Sequence, residues 1–490
     1  MLIILLGCAL FLFLYNLGNQ YLWQDEAETA LISKTILSYG IPKGYDGKNY
    51  FSQLLGQDYT KNYTWRWHPW LQFYICAAFF GLFGISTFVA RLPFALFGIA
   101  SVFMTYAFCK TLWQSKKTAA IAALLLLTSI PFLLLSRQCR YYSMAAFFSL
   151  AGLYAYWGLL EKRKYSFVLF LLSAVLLFHT HYVYCAVLLA AVGLHILIFH
   201  RDRFWTLFWA AALFAFVNAP WVIWLLKARS DVNYKELSQF AHPVVFGKAY
   251  LYQIGKYILT PYLFLIIPFA IVIRRARTGT FYPHDRAFWH KLTLLLLFIF
   301  LNFIAMVFAT PWPFFRYLTP VIPIFIICAA LLIAVASRLH PLVAVVILVV
   351  LIFTSPMKDF LYELTHDYDG PIEGIVKYLN KNGSDNDIVA ITYGDLPLKF
   401  YTNMRVIGGL TGEDLSAAKQ AKWVILRKYV VSEKDAKVKM WMLQNIPWEN
   451  CGRIVIDYPD IPFENREDPA EHHFRTVTDE DRVVIFRKIR

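Results

Sequence analysis

Charged residues are scarce in this sequence. Of its 490 residues, 16% are Asp, Glu, Lys or Arg, whereas 59% are hydrophobic. Soluble globular proteins carry about 25% charged residues, so the composition excludes an ordinary soluble enzyme. Apolar runs of 15–22 residues recur up to about residue 355, and runs of that length predict transmembrane helices.

Several other signatures are missing. The first apolar run, Leu2–Leu17, has no basic n-region and no small-residue cleavage site, so we expect it to be retained as a span. The seven cysteines include no CxxC pair, which excludes a zinc site of that type and a disulfide framework. No GxGxxG or Walker loop opens a helix after a strand, and no internal repeat is present.

Acidic residues are especially rare before residue 356. Residues 1–355 hold 28 Lys and Arg against 10 Asp and Glu, and residues 356–490 hold 19 against 22. The net charge of +15 therefore belongs to the apolar part. Its partners are membrane lipids, and we expect no binding to nucleic acid.

Short basic loops predict the topology. By the positive-inside rule, the loops Lys110–Lys117, Glu161–Lys164, Arg201–Arg203, Arg274–Lys291 and Arg338 face the cytoplasm. We therefore expect about eleven spans, a cytoplasmic N-terminus and an external tail. The predicted spans are 2–18, 89–110, 118–136, 143–160, 166–180, 182–199, 204–226, 256–273, 292–309, 318–336 and 341–355.

This topology divides the chain into two predicted domains. Residues 1–355 form the membrane domain, with a first external loop over about 19–88. Counting residues 69–85 as a span would place every later basic loop outside, so we predict a short interfacial helix there. The stretch AETALISKTILSY predicts a second, amphipathic interfacial helix in the same loop. Residues 356–490 alternate helix-like stretches with four apolar strand-like stretches, DIVAIT, WVILR, RIVID and VVIFR. This alternation predicts a small extracytoplasmic α/β domain.

Three of the ten acids in the membrane domain lie within four residues, Asp25, Glu26 and Glu28. One interpretation is a set of acidic residues that cap the interfacial helix. The other is a functional cluster that faces arginines in need of an anion. The isolation of the three acids in an acid-poor region favours the second interpretation.

Arginines are concentrated on the predicted outer side. A single arginine at a membrane boundary usually anchors its helix by reaching into the interface. Several together, interleaved with aromatic residues, favour a pocket for a phosphate attached to a lipid. The arginines are Arg66, Arg91, Arg137, Arg140 and Arg316, and the first candidates for the phosphate are Arg137, Arg140 and Arg316 with Tyr317.

Histidines also fall on the outer side. His179 and His181 are two residues apart, which on a helix points them to different faces and argues against a shared metal site. His68, in RWHPW, is a better candidate for a ligand or an acid–base group. An ordinary interfacial histidine remains the alternative at this position.

Six motifs, in this order, resemble those of the GT-C glycosyltransferases that use lipid-phosphate sugars. They are WQDEAETA, WHPWLQFY, ARLPFALFG, SRQCRYYS, THY and FRYLTPVIP, within about residues 1–335. Protein O-mannosyltransferases and lipid A aminoarabinose transferases are the groups that the sequence resembles most. It departs from their pattern at Pro69-Trp70, where the family has two prolines.

The resemblance implies a polytopic α-helical membrane fold of GT-C type and an inverting sugar transfer from a polyprenyl phosphate to an acceptor hydroxyl. Asp25 would be the general base, and Glu26 would position the acceptor or tune Asp25. The implied residues at the donor phosphate are Arg137, Arg140, Arg316, Tyr142 and Tyr317. The implied substrate-positioning residues are Arg66, His68, Arg91, His181 and Tyr182.

The acceptor stays open between lipid A, another envelope glycan and a protein. The sequence establishes no cofactor, and His68, Glu26 and His242 are the candidate ligands for a divalent metal. We expect a plasma (inner) membrane location. The alternatives are a lipid-linked glycan ligase and a transporter or flippase, which commonly has repeats and ionisable residues near mid-bilayer.

Overall fold

In the computed structural model, the chain is helical over its membrane part and becomes α/β towards its end. The structure describes residues 2–232, 242–258, 268, 272, 275, 286–338, 340–367, 369–428, 433–461, 472 and 481–489. The predicted span 256–273 lies almost wholly outside these residues.

Fifteen helices in the described ranges precede the sheet-containing unit. They are α1 Leu2–Leu14, α2 Gln24–Tyr39, α3 Leu71–Phe83, α4 Thr87–Trp113, α5 Lys116–Leu127, α6 Ile130–Ser136, α7 Tyr142–Leu160, α8 Ser166–Phe178, α9 Tyr182–Phe199, α10 Phe204–Ala228, α11 Pro243–Gln253, α12 Arg286–Ala309, α13 Ile322–Ala336, α14 Pro341–Thr354 and α15 Met357–Thr365. A 3₁₀ turn, Phe315–Val321, leads into α13.

The apolar helices make this a multi-pass membrane protein. Among the described residues, six helices are long and apolar enough to cross a bilayer, and two bent pairs, α5 with α6 and α14 with α15, raise the number to as many as eight. Ten of the eleven predicted spans coincide with an apolar helix or helix pair of the described residues. Two of these, α1 and α8, have only 13 residues, about 20 Å of helix against a hydrocarbon core of about 30 Å.

The structure bends one predicted span and contains a short helix within the predicted segment 69–85. The predicted span 118–136 is bent by 62° between α5 and α6, because Pro131 restarts the helix in its first turn. The segment 69–85 contains α3, a 13-residue helix packed against α2 and α4.

Helix α2 is not the amphipathic helix that the sequence predicts. Ten of its 16 residues are buried, including Thr29 and Ser33, because α3 and a helix of the tail pack against it. Its small polar side chains bond within the helix: Ser33 Oγ donates to the carbonyl of Thr29 at 2.6 Å.

The tail forms a five-stranded mixed sheet with helices, as predicted. Its elements are α16 Pro371–Asn382, β1 Ile388–Ile391, α17 Asp395–Tyr401, β2 Arg405–Gly408, β3 Trp423–Ile425, α18 Glu433–Asn445, β4 Cys451–Pro459 and β5 Arg482–Lys488. The strand order is β2-β1-β3-β5-β4. Strand β1 runs parallel to β2 and β3, and β5 is antiparallel to β3 and β4.

The boundary between the two parts follows the packing. Met357, Phe360 and Leu364 of α15 are buried in the same apolar core as the membrane helices. A separate core forms between α16 and the sheet. Helix α16 is thus the first helix after residue 356 that packs on the sheet.

Candidate active site

The three acids near the start of α2 lie in different environments. The side chain of Asp25 is 15% exposed, whereas those of Glu26 and Glu28 are 0% and 3% exposed. Glu26 turns back to accept a hydrogen bond from the amide of Trp23, the residue that precedes the helix. Asp25 is thus the most accessible acid of the three.

Glu26 is enclosed by Arg91 of α4. Its carboxylate accepts from Nε and Nη2 of Arg91 at 2.8 and 2.6 Å and from the amide of Cys139 at 2.7 Å. The same guanidinium donates to the carbonyls of Leu17 and Gln20. The predicted catalytic Glu26 and substrate-positioning Arg91 therefore join the end of the first span to α4.

Arg137 contacts the first helix. Its guanidinium donates to the carbonyls of Leu12, Phe13 and Tyr15 at 3.0–3.1 Å. These carbonyls are at the end of α1, where a helix leaves acceptors without partners and favours a cation. The predicted phosphate-binding residue Arg137 is thus placed as a cap of the first helix.

The other two predicted phosphate-binding arginines converge on Asp25. Nη1 of Arg316 lies 3.3 Å and Nη2 of Arg140 lies 3.8 Å from Oδ2 of Asp25. Arg140 comes from the connection between α6 and α7, and Arg316 comes from the 3₁₀ turn before α13. Arg140 also donates to Glu28 and to Thr29, each at 3.0 Å.

Aromatic rings support both guanidinium groups. Arg316 lies over the rings of Phe314, Trp23 and Tyr317, with 4.2, 5.5 and 5.8 Å to the ring centroids. Arg140 lies 5.8 Å from the centroid of Tyr141, whose ring contacts that of Tyr142 at 4.8 Å. A cation over a ring face keeps its N–H edge available for an anion.

Glu28 and Gln53 form the other side of this group. Nε2 of Gln53 donates to Glu28 at 2.6 Å and to Asp25 at 3.4 Å. Burial raises the pKa of Glu28 to about 7, against the opposing effect of Arg140. Sequence reasoning missed Gln53, because a lone amide in a loop carries no recognisable pattern.

His68 and His181 line the same region as neutral groups. Nδ1 of His68 lies 3.7 Å from Glu28, but burial and the nearby Arg140 lower the pKa of His68 well below its ordinary value, so this contact is no ion pair. Burial lowers the pKa of His181 to about 3. The ring of His181 packs against Tyr184 and Tyr141, with centroids at 4.1 and 5.1 Å.

Arg66 and Tyr182 belong to a neighbouring group. Arg66 forms an ion pair with Asp231 and donates to the carbonyl of Ala228 at 2.6 Å. The hydroxyl of Tyr182 accepts from the indole of Trp221 at 3.0 Å. These contacts fasten α10 and its following turn to the first external loop and to α9.

The structure supplies no grouped ligand set for the predicted metal. Within the described ranges, no three His, Cys, Asp or Glu side chains are grouped so that they could hold a metal ion. His242 precedes α11 as its N-cap, and Glu26 is bonded to Arg91. A metal ion therefore stays a prediction.

Comparisons with known proteins fit this geometry. Residues 67–224, about a third of the chain, match the family model described as dolichyl-phosphate-mannose-protein mannosyltransferase. A search of curated proteins finds no match. Apo ArnT from Cupriavidus metallidurans is similar over 100% of this chain and 98% of its own, with 13% identity and a TM-score of 0.66.

Two further crystal structures have related architecture. ArnT from the same organism, bound to undecaprenyl phosphate, has 14% identity and a TM-score of 0.59 over 99% of this chain and 97% of that one. The apo oligosaccharyltransferase of Archaeoglobus fulgidus has 12% identity and a TM-score of 0.56 over 86% and 69%.

The fold is that of the GT-C glycosyltransferases. The resemblance predicted from the six motifs is thereby confirmed. The family match and the GT-C fold together indicate a membrane glycosyltransferase.

Proposed function

We propose that this GT-C protein transfers a sugar from a polyprenyl phosphate to an acceptor hydroxyl at the outer face of the plasma membrane. One observation carries the proposal. The accessible carboxylate of Asp25 lies between Arg140 and Arg316, which are 176 positions apart in the sequence. Sugar transfer needs a base for the acceptor hydroxyl close to cations that bind the donor phosphate. Asp25 and the two arginines provide these groups side by side.

The reaction is a direct displacement. Asp25 takes the proton of the acceptor hydroxyl as its oxygen attacks the anomeric carbon. The bond between that carbon and the phosphate oxygen breaks, and its electron pair leaves with the lipid phosphate. Arg140 and Arg316 stabilise the growing negative charge, and the configuration at the anomeric carbon inverts.

The neighbouring residues have supporting roles in this proposal. Gln53 orients Asp25, and Glu28 holds Arg140 through the 3.0 Å hydrogen bond. Tyr142 and Tyr317 line the phosphate region beside the two arginines. His68 and His181, both neutral, are suited to hydrogen bonding with sugar hydroxyls.

The solved structures support a lipid-linked donor. One similar protein, ArnT from C. metallidurans, binds undecaprenyl phosphate. Another similar protein, the A. fulgidus oligosaccharyltransferase, was solved with an acceptor peptide tethered to it through a disulfide bond. The name of that enzyme supports transfer of a whole glycan as the second candidate. Lipid A, another envelope glycan and a protein hydroxyl remain the candidate acceptors. The proposed orientation places the N-terminus in the cytoplasm and the tail outside.

Replacement of the proposed base tests this function. In Asp25→Asn, we expect the transfer rate to fall by about 10²–10⁴-fold, since general base catalysis contributes that much. The assay measures release of undecaprenyl phosphate from a panel of undecaprenyl-phosphate sugars, with candidate acceptors. Binding of undecaprenyl phosphate to the variant should remain.

Asp202→Asn is the control, because Asp202 is 71% exposed and lies in a basic connection between α9 and α10. It should transfer sugar at the wild-type rate. Full activity in Asp25→Asn would remove Asp25 from the role of base. Transmembrane movement of the lipid without sugar transfer would support a flippase instead.

A further inference from the structure

Helix α17 of the tail contacts two segments of the membrane part, one at the start of α2 and one in the loop that contains Gln53. Oδ1 of Asp395 accepts from the side chain of Gln24, the residue before Asp25, at 2.8 Å. Nζ of Lys399 donates to the carbonyl of Tyr50 at 2.8 Å. Asp395 and Lys399 form an ion pair at 2.6 Å, and both side chains are 0% exposed.

The loop that contains Gln53 is fastened to the tail on both sides. Before Gln53, the side chain of Asn49 accepts from the amide of Val406 at 2.8 Å and donates to the carbonyl of Met404 at 3.1 Å. After Gln53, the amide of Leu55 donates to the carbonyl of Leu410 at 2.9 Å. The amide that contacts Asp25 and Glu28 is therefore held between tail contacts.

The closeness of these contacts has a geometric consequence. Tyr50 is three residues before Gln53, so their Cα atoms are at most about 11 Å apart. Gln24 is directly bonded to Asp25 in the chain. The Asp395–Lys399 pair thus touches both the helix end that carries the proposed base and the loop that orients it.

A fully buried ion pair is a weak source of net stability, because the two charges lose their hydration. Its hydrogen bonds are nevertheless directional and fix the groups that they reach. Here each member of the pair reaches a different part of the membrane domain. The arrangement is therefore suited to setting the position of Gln24 relative to Tyr50.

We propose that Asp395 and Lys399 are positioning residues that hold Gln24 and the Gln53 loop in the geometry required for Asp25 to act. The tail domain then completes the active site, although its residues do not touch the reacting atoms. This inference rests on the proposed function of Asp25. It assigns to the α/β unit a part in the rate of sugar transfer.

The main test uses the full-length chain in lipid nanodiscs and the double variant Asp395→Leu/Lys399→Met. Replacing both charges together leaves no unpaired buried ion, so the fold should persist. The transfer rate constant kcat should fall by about 10–100-fold, because misplacement by about 1 Å can cost 10²-fold. The Kd of undecaprenyl phosphate should change by less than about threefold, since Arg140 and Arg316 are untouched.

A second buried pair of the tail provides the control. Arg427 and Asp460 have side-chain exposures of 0% and 7%, and their hydrogen bonds among the described residues lie within the tail. The variant Arg427→Met/Asp460→Leu should keep kcat within about twofold. An equal loss of kcat in both double variants would assign the effect to general loosening of the tail and overturn the proposal.

The connection can also be broken from the membrane side. Gln24→Met should lower kcat, and adding it to the double variant should lower kcat much less than it does in the wild type, because the same contact is already lost. Fully additive losses, or wild-type kcat in the double variant, would contradict the proposal.

A structural measurement separates this proposal from the proposed function. Amide hydrogen exchange over residues 49–56 should be faster in Asp395→Leu/Lys399→Met than in the control double variant. This holds even if no sugar donor in the panel is used by the wild type, an outcome that would reject the proposed function. Unchanged exchange in that segment would reject the positioning role.

Discussion

Two pairs of arginines on the same side of the protein differ in what surrounds them. Arg91 donates to Glu26 and to the carbonyl of Leu17. Arg137 donates to backbone carbonyls at the end of the first helix. Arg140 and Arg316 reach an accessible carboxylate and lie over aromatic rings. The first pair holds helices together, whereas the second pair can exchange part of its contacts for an anion.

The comparison shows that the position of an arginine at a membrane boundary does not define its role. The role follows from the groups that the guanidinium contacts. A guanidinium bonded to helix-end carbonyls supplies hydrogen bonds that these carbonyls would otherwise lack. In apolar surroundings, a carbonyl without a hydrogen bond costs free energy. A guanidinium stacked on rings keeps donors for a ligand. Three predictions test this division, from the largest expected effect to the smallest.

Breaking the enclosed pair should mainly reduce stability. In Glu26→Gln, a buried Arg91 loses its charged partner, and such losses typically cost about 3–5 kcal/mol. We expect a clear fall in the thermal midpoint of the protein in detergent. The fraction that remains folded should still bind undecaprenyl phosphate.

Glu161→Gln is the control, because Glu161 pairs with Arg163 at the surface and such pairs contribute about 0–1 kcal/mol. A stable Glu26→Gln protein that binds donor normally but transfers no sugar would favour a catalytic role for Glu26.

Removing an arginine from each pair should separate binding from stability. Arg316→Met should weaken undecaprenyl phosphate binding by about 10–100-fold, the loss of one charge-assisted hydrogen bond. Arg137→Met should lower the thermal midpoint and leave the Kd within about twofold, because Arg137 caps α1. Titration calorimetry and thermal unfolding of both variants measure this contrast. The reverse pattern would exchange the roles of the two pairs.

The smallest expected effect is a pH dependence of donor binding. Burial raises the pKa of Glu28 to about 7, from an ordinary value of 4.5, so Glu28 keeps its proton below neutrality and becomes an anion above it. A second negative charge beside Arg140 opposes the phosphate. Undecaprenyl phosphate should therefore bind about three- to tenfold more weakly at pH 8 than at pH 6. This range assumes that the bound phosphate shifts the pKa of Glu28 by about half to one unit.

Glu28→Gln is the control for this dependence, since titration of the phosphate itself is common to both proteins. The additional change between pH 6 and pH 8 should disappear in the variant. The raised pKa of Glu28 also affects the free energy of unfolding. Protonation of Glu28 stabilises the folded protein below pH 4.5, and this contribution is lost as the pH rises to about 7. An identical pH profile in the two proteins would show that Glu28 does not influence the phosphate.

Much of this site follows from the sequence. The order of the motifs predicts that Asp25, Arg140 and Arg316 act together, and the structure places them in contact. The sequence also predicts four of the five strands of the tail, because DIVAIT, WVILR, RIVID and VVIFR are apolar enough to recognise. Strand β2 is a four-residue segment, Arg405–Gly408, without such a signal.

What the sequence leaves hidden depends on contacts between distant segments. The division of the arginines rests on backbone carbonyls and on one carboxylate, which look alike in any sequence. Burial of α2 depends on α17, which lies some 370 positions later, as the contact between Gln24 and Asp395 illustrates. Gln53 acquires its role only because the tail fixes its loop.

A structure of the wild-type protein with bound undecaprenyl phosphate would show which arginines hold the phosphate. We expect density for the phosphate within hydrogen-bonding distance of both Arg140 and Arg316, with Asp25 open towards the acceptor side. A phosphate held by Arg91 or Arg137 at the end of α1, away from Asp25, would contradict this expectation.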